Sequence, residues 1–205
     1  MNATFSTRRH QNRSARFLLG IAVLAGLPGA TAAPPAERTL VHAVADGDQN
    51  RILVRWMTEE TTSPRYRYYD VDRREADSLS FVQLNDDPIG PAQTAAEIEA
   101  IFTAPGRSDA LGWIQDSLGD DYANDLLLMQ SPNATSSEKA QAALLPDLNY
   151  GVALAFGLGW LDETVTPGVT YVYEVWGLDD QGFRVERLGR ATATAGSPPS
   201  LQPVQ

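Results

Sequence analysis

Apolar residues in the first third of the chain fall in short runs separated by turn chemistry, which is a strand pattern. Thr39 to Ala45 is a β-prone run, and Asp46-Gly47-Asp48-Gln49-Asn50 follows as a polar turn. Ile52, Val54 and Trp56 then share one parity in the next run. Tyr66 to Arg73 predicts a third extended stretch, whose register is open because Tyr66, Tyr68 and Tyr69 occupy both parities. A fourth short run, Ser80 to Leu84, stops at Asn85-Asp86-Asp87-Pro88.

From about Pro91 the period changes. Ala96, Ile98, Ala100, Ile101 and Phe102 suit a helix beginning after Thr94, with Glu97 three residues on to complete a capping box, and Pro105-Gly106 ends it. Leu111, Ile114 and Leu118 recur at helical spacing after Ser108, and Tyr122, Leu126, Leu127 and Met129 continue in another helix. A further helix covers Ser137 and Lys139 to Leu145, stopped by Pro146. The apolar stretch 152–160 is flanked and interrupted by Gly151, Gly157 and Gly159, which leaves its conformation open. Extended structure returns at Thr164-Val165-Thr166-Pro167-Gly168. Tyr171, Tyr173 and Val175 then alternate with Val172, Glu174 and Trp176, and the turn Asp179-Asp180-Gln181-Gly182 leads into a return strand over 183–194.

The N-terminus has a different grammar. Arg8, Arg9, Arg13 and Arg16 precede an apolar run from Phe17 to Leu27 and the small-residue sequence Ala30-Thr31-Ala32. That order is a secretory signal peptide over 1–32, cleaved between Ala32 and Ala33, and the run is short for a membrane span. The expectation is an exported protein, periplasmic, at the cell surface or secreted, with no stable membrane span after cleavage. The domain plan is 1–32 signal peptide, 33–90 and 161–195 the two halves of a strand-rich frame, 91–160 a helical insertion, and 196–205 a tail or linker. Lys139 is the only lysine, and the 205 residues carry 26 acidic against 16 basic side chains. Losing the first 32 residues moves the net charge from −10 to −14, because four arginines and no acids go with them. A body so acidic lacks the Lys and Arg clusters that phosphate contacts need, which argues against nucleic acid as a partner. With no cysteine there is no disulfide, thiol nucleophile or Cys-ligated metal.

The pieces Ile52-Leu53-Val54-Arg55-Trp56, Tyr69-Asp70-Val71-Asp72-Arg73 and Pro167-Gly168-Val169-Thr170-Tyr171-Val172-Tyr173, with Gly182 late, resemble a fibronectin type III domain of the kind carried by bacterial exported and surface proteins. The resemblance covers roughly 36–90 and 161–195. It implies a mainly β, immunoglobulin-like antiparallel sandwich interrupted by the helical insertion. Trp56, Tyr69, Val71, Tyr171, Tyr173 and Val175 would form its core, Gly168 and Gly182 would serve its turns, and the Tyr171 hydroxyl would bond back to the chain at a corner between strands. Such a domain has about 100 residues, so the insertion is a departure. Loop-closure entropy grows slowly enough with length for the sandwich to close across it.

The chemistry-bearing residues point away from a cofactor or metal site. Asp46-Gly47-Asp48-Gln49-Asn50 alternates like a calcium loop, but Arg51 and Met57 stand where an EF-hand needs glycine and glutamate. Asp70 and Asp72 share a strand face beside Arg73 and Arg74, as an ion-paired surface. His42 is the one histidine outside the leader, and no G-x-S-x-G elbow occurs. Glu97, Glu99, Asp109, Asp116, Asp120, Asp121 and Asp125 crowd the insertion, and two carboxyls facing a cleft suffice for glycoside hydrolysis. A carboxylate-dependent glycan hydrolase is therefore the alternative to a non-catalytic binding, adhesion or spacer module for a protein or glycan. Trp113, Trp160 and Trp176 are the other features of interest. Trp176, outward if Tyr171 faces the core, must be covered by the insertion or offered to a partner, and it joins Trp113 as a candidate partner contact.

Overall fold

The computed structural model describes residues 41–46, 50–57 and 66–196. The expected signal peptide and its expected Ala32–Ala33 junction, the centre of the 46–50 turn and the expected tail from 197 onward lie outside the described residues.

In chain order the elements are β1 (Val41–Asp46), β2 (Arg51–Trp56), β3 (Tyr68–Glu75), β4 (Val82–Gln83), α1 (Ala95–Thr103), α2 (Ser108–Leu118), α3 (Tyr122–Met129), α4 (Ser136–Leu148), α5 (Tyr150–Ala155), β5 (Gly159–Asp162), β6 (Thr170–Leu178) and β7 (Arg184–Thr194). The strands form two antiparallel sheets, β1-β2-β5 and β4-β3-β6-β7, with the helices between β4 and β5 in sequence. This is a sandwich-type arrangement with a helical insertion, but it is a mixed α/β fold. The expectation of a mainly β protein is corrected, because helices hold about as many residues as strands.

The sandwich follows from the period-two pattern. Ile52, Val54 and Trp56 turn inward from β2 with no exposed surface, while Tyr69 and Val71 of β3 and Tyr171, Tyr173 and Val175 of β6 meet them from the other sheet. The Trp56 and Tyr69 rings lie 5.4 Å apart and tilted by 55°, a favourable aromatic arrangement. The three tyrosines whose register was open resolve by parity. Tyr69 enters the core and donates to the Tyr66 carbonyl at 2.6 Å, and Tyr66 packs over Gly177, where a Cβ would lie 2.4 Å from its ring. At the β6–β7 turn Gly182 has φ +83°, and Asp179 Oδ1 accepts from the amides of Gln181 and Phe183.

The insertion has its own core, built from Ile98, Phe102, Ile114, Tyr122, Leu126 and Val152. Thr94 and Glu97 close the expected capping box on α1, and Thr135 and Glu138 close a second on α4. Pro146 does not end α4. It removes one i→i−4 bond close to the C-terminal end, and the helix runs on to Leu148, where the Asn149 amide closes it on the Leu145 carbonyl. The insertion leaves and rejoins the frame at a narrow neck. The Ala92 amide bonds the Ala155 carbonyl, and a Cβ on Gly157 (φ +65°) would lie 2.3 Å from the Gly90 carbonyl carbon. Leu158 packs against both cores.

On the outward parity of β2, Arg51 donates to the Gly106 carbonyl at 2.8 Å and covers the Tyr150 ring. Arg55 reaches Asp147 and the Leu158 carbonyl. These two side chains tie the β1-β2-β5 sheet to the helices.

Candidate functional site

Strand β5 lies at the edge of its sheet, pairing with β2 alone. A groove of about 450 Å³ runs beside it, within the size range of ligand sites. Its walls are Leu84 and Ile89 from the segment around and after β4, Ile101 of α1, Leu154 of α5, and Trp160 and Leu161 of β5 itself. Polar groups gather at Arg107, Asp162, Glu163 and Thr164. The groove therefore exists because the insertion stands beside the sandwich edge.

Asp162, 2% exposed, is fully engaged. It accepts from the Tyr173 hydroxyl at 2.8 Å, from Arg73 Nη1 at 2.7 Å, and from the hydroxyl and amide of Thr164. Burial, reinforced by the neighbouring Asp162 charge, pushes the Tyr173 phenol well above its ordinary pKa, so it is a donor at every physiological pH. Arg73 also lies over the Tyr171 ring, 4.8 Å from its centre. This cluster ties the two sheets together and leaves Asp162 no free lone pair for acid–base work. Arg107 donates to the Ile101 carbonyl in the last turn of α1. Glu163, exposed on the rim, has no ion-pair partner among the described residues.

The outer face of the four-stranded sheet is a ladder of paired charges. Asp70 and Asp72 are not paired by their neighbours Arg73 and Arg74, because strand parity sends Arg73 through to Asp162. Arg184 of β7 grips both, with Nε 2.8 Å from Asp70 and Nη1 2.6 Å from Asp72. Asn85 bonds the remaining Asp70 oxygen. Glu174 is held by Arg187 and Arg190. Trp176 is half-buried in this ladder with the Arg184 guanidinium over its ring at 5.6 Å, so its cover comes from its own sheet. Trp113 is 37% exposed on α2, and neither tryptophan lines the groove.

The residues singled out for chemistry sit elsewhere. His42 is exposed on β1. Glu97 closes the α1 capping box, Asp109 accepts from the Tyr150 hydroxyl at 3.0 Å, and Asp121 accepts from Asn124. None of the seven acids named from the sequence, nor Glu138 or Asp147, lines the groove. No group of three or more His, Asp or Glu placed to hold a metal occurs among the described residues. The groove residues that the pattern did not single out are Ile89 and Arg107, and the run Leu161, Asp162 and Glu163 at the end of β5. That run's signal in the sequence was slight, a short apolar pair after a glycine-rich stretch followed by an acid.

No protein-family model matches the chain. A search of curated proteins finds none similar enough to score as a match.

Proposed function

We infer that the chain is an exported, non-catalytic module of fibronectin type III type that binds a protein or glycan partner. The strand order β1-β2-β5 against β4-β3-β6-β7 supports the family reading, since such a sandwich sets three strands against four. So does the corner contact, in which the Thr166 amide donates to the Tyr171 hydroxyl at 3.0 Å, five residues upstream on the chain. Export rests on the basic–apolar–small order of residues 1–32. No helix among the described residues is long and apolar enough to cross a membrane.

The observation that carries a binding role is the groove beside β5. It combines apolar walls with a few polar groups, and its one buried carboxylate, Asp162, is already saturated by four donors. A hydrolase of the insertion would need two acids facing one cleft, and the acids there are exposed or spent on caps and helix ends. The test is a protein and glycan binding screen beside a hydrolysis assay. Binding without turnover, weakened at least tenfold by Trp160→Ala, is expected. Glycan cleavage by the purified protein, surviving Trp160→Ala and lost on substituting an insertion acid, sinks the reading. N-terminal sequencing of the exported protein should begin at Ala33.

A further inference from the structure

The cation in the groove is out of step with the other arginines. Acids outnumber bases by 26 to 16, and Arg51, Arg55, Arg73, Arg184, Arg187 and Arg190 each lie within salt-bridge distance of a carboxylate. Arg107, the one cation lining the groove, pairs with no carboxylate among the described residues. Its bond there runs from Nη1 to the Ile101 carbonyl at 2.8 Å. Its Nε is buried and has no acceptor. The edge formed by Nε and Nη2, a fork that matches both oxygens of a carboxylate, is therefore unused. The neighbouring polar groups do not answer it. Asp162 is saturated, and the Thr164 hydroxyl is engaged by Asp162 and Arg73.

The walls narrow the class of ligand. Leu84, Ile89, Ile101 and Leu154 have no hydrogen-bonding side chain, so sugar hydroxyls would lose water there without gaining partners, whereas an apolar side chain gains by the same burial. Each of the four is half-buried, which makes the groove an open surface feature. A small free acid would keep one flank in water. The end of a longer chain brings its own cover and leaves its remaining amides hydrated.

We propose that the groove captures the C-terminus of a partner protein, with an apolar last side chain among Leu84, Ile89, Ile101 and Leu154 and the terminal carboxylate on Arg107. This deepens the binding-module reading and rests on it. A carboxylate at Nη2, with a small turn of the guanidinium, also meets the buried Nε. Burial of the last side chain supplies affinity, and the terminal charge supplies choice, because a C-terminal amide offers the fork a single neutral acceptor. Glu163, exposed on the rim, disfavours an acidic residue just before the terminus.

The probe is a set of hexapeptides labelled at the N-terminus and ending in leucine, valine or phenylalanine, each made as the free acid and as the C-terminal amide. Binding to the purified protein is read by fluorescence anisotropy. The acids should bind, and the matching amides at least about tenfold more weakly, the loss expected when a charge-assisted pair becomes a neutral bond. Arg107→Gln should bring the acid down to the level of the amide and leave the affinity for the amide unchanged, a pattern that a merely structural role would not produce. Arg107→Lys should keep part of the preference, since the charge stays and the fork goes. Raising the salt concentration should weaken the acids alone. If Arg107→Gln misfolds, the comparison of acid with amide and its salt dependence decide the matter on the unaltered protein.

Equal binding of acid and amide overturns carboxylate capture. A preference for the acid that Arg107→Gln leaves intact places the site elsewhere and overturns the assignment. Octanoate competing as well as the best peptide makes the ligand a free acid, and a dimer in sedimentation that Arg107→Gln dissolves makes it a second copy; either overturns the proposal. No peptide bound at millimolar concentration, with glycans bound through Trp160, overturns the peptide and keeps the module. Glycan hydrolysis without binding removes the underlying reading as well.

Discussion

Single side chains hold this molecule together through bonds that cross long stretches of sequence. The Tyr171 hydroxyl satisfies the Thr166 amide at the entry to β6. Tyr171→Phe leaves that donor unmet and should cost about 1 kcal/mol, read from a urea midpoint. The Arg184 clamp has a larger effect. Arg184→Ala strands Asp70 and Asp72, whose side chains are 10% and 9% exposed. Removing one partner of a buried pair costs about 3–5 kcal/mol, and the one-third exposure of Arg184 lowers the expectation to about 1–3 kcal/mol.

Alkaline pH should unfold the protein. Burial raises the Tyr69 phenol to about 12 from an unfolded value of 10, and Tyr173 moves in the same direction. The unfolded chain loses these protons first, so stability is intact below pH 10 and falls as pH rises toward 12. Phenolate absorbance rising ahead of the loss of circular dichroism, in place of both moving together, would contradict this. At this scale Trp56, Tyr171 and Tyr173 could be picked from the sequence because strand parity places them. The partner of Asp70 and Asp72 could not, since the nearest arginines point elsewhere and the real one lies more than 100 residues away.

Whole elements were readable where a local signature encodes their ends. Thr94 with Glu97 announced α1, and Thr135 with Glu138 carries the same signature for α4. Thr94→Ala and Thr135→Ala should each cost about 1 kcal/mol, seen as a lower thermal midpoint with helical fraying. Pro146 misled because a proline removes one i→i−4 bond without having to end the helix, and α4 runs two residues past it. Strand β5 was the hardest element. Four residues starting with glycine carry almost no periodicity of their own, and pairing with β2 makes them a strand. The neck is similarly nonlocal. Gly157→Ala would push a methyl group into the Gly90 backbone at a positive φ, and a loss of about 1–3 kcal/mol is expected by denaturant melt.

The molecule as a whole carries two hydrophobic cores joined at Leu158. That division makes a cooperative prediction. Ile114→Ala, a fully buried residue of the insertion, should cost about 2–5 kcal/mol locally. Hydrogen exchange should then quicken across α1 to α5 much more than in β2, β3 and β6. Uniform quickening would show that the two cores open as one.

The amino-acid sequence alone determined the period of each stretch, the turns at Gly168 and Gly182, the α1 cap and the inward face of β2 and β6. These depend on residues within a few positions of one another. Only the tertiary structure decided that helices hold about as many residues as strands, that Arg184 secures the outer aspartates, and that a groove opens along β5. The last two arise where segments far apart in the chain meet. Strand pairing and side-chain reach across such distances are set by how the cores close, which no local pattern encodes.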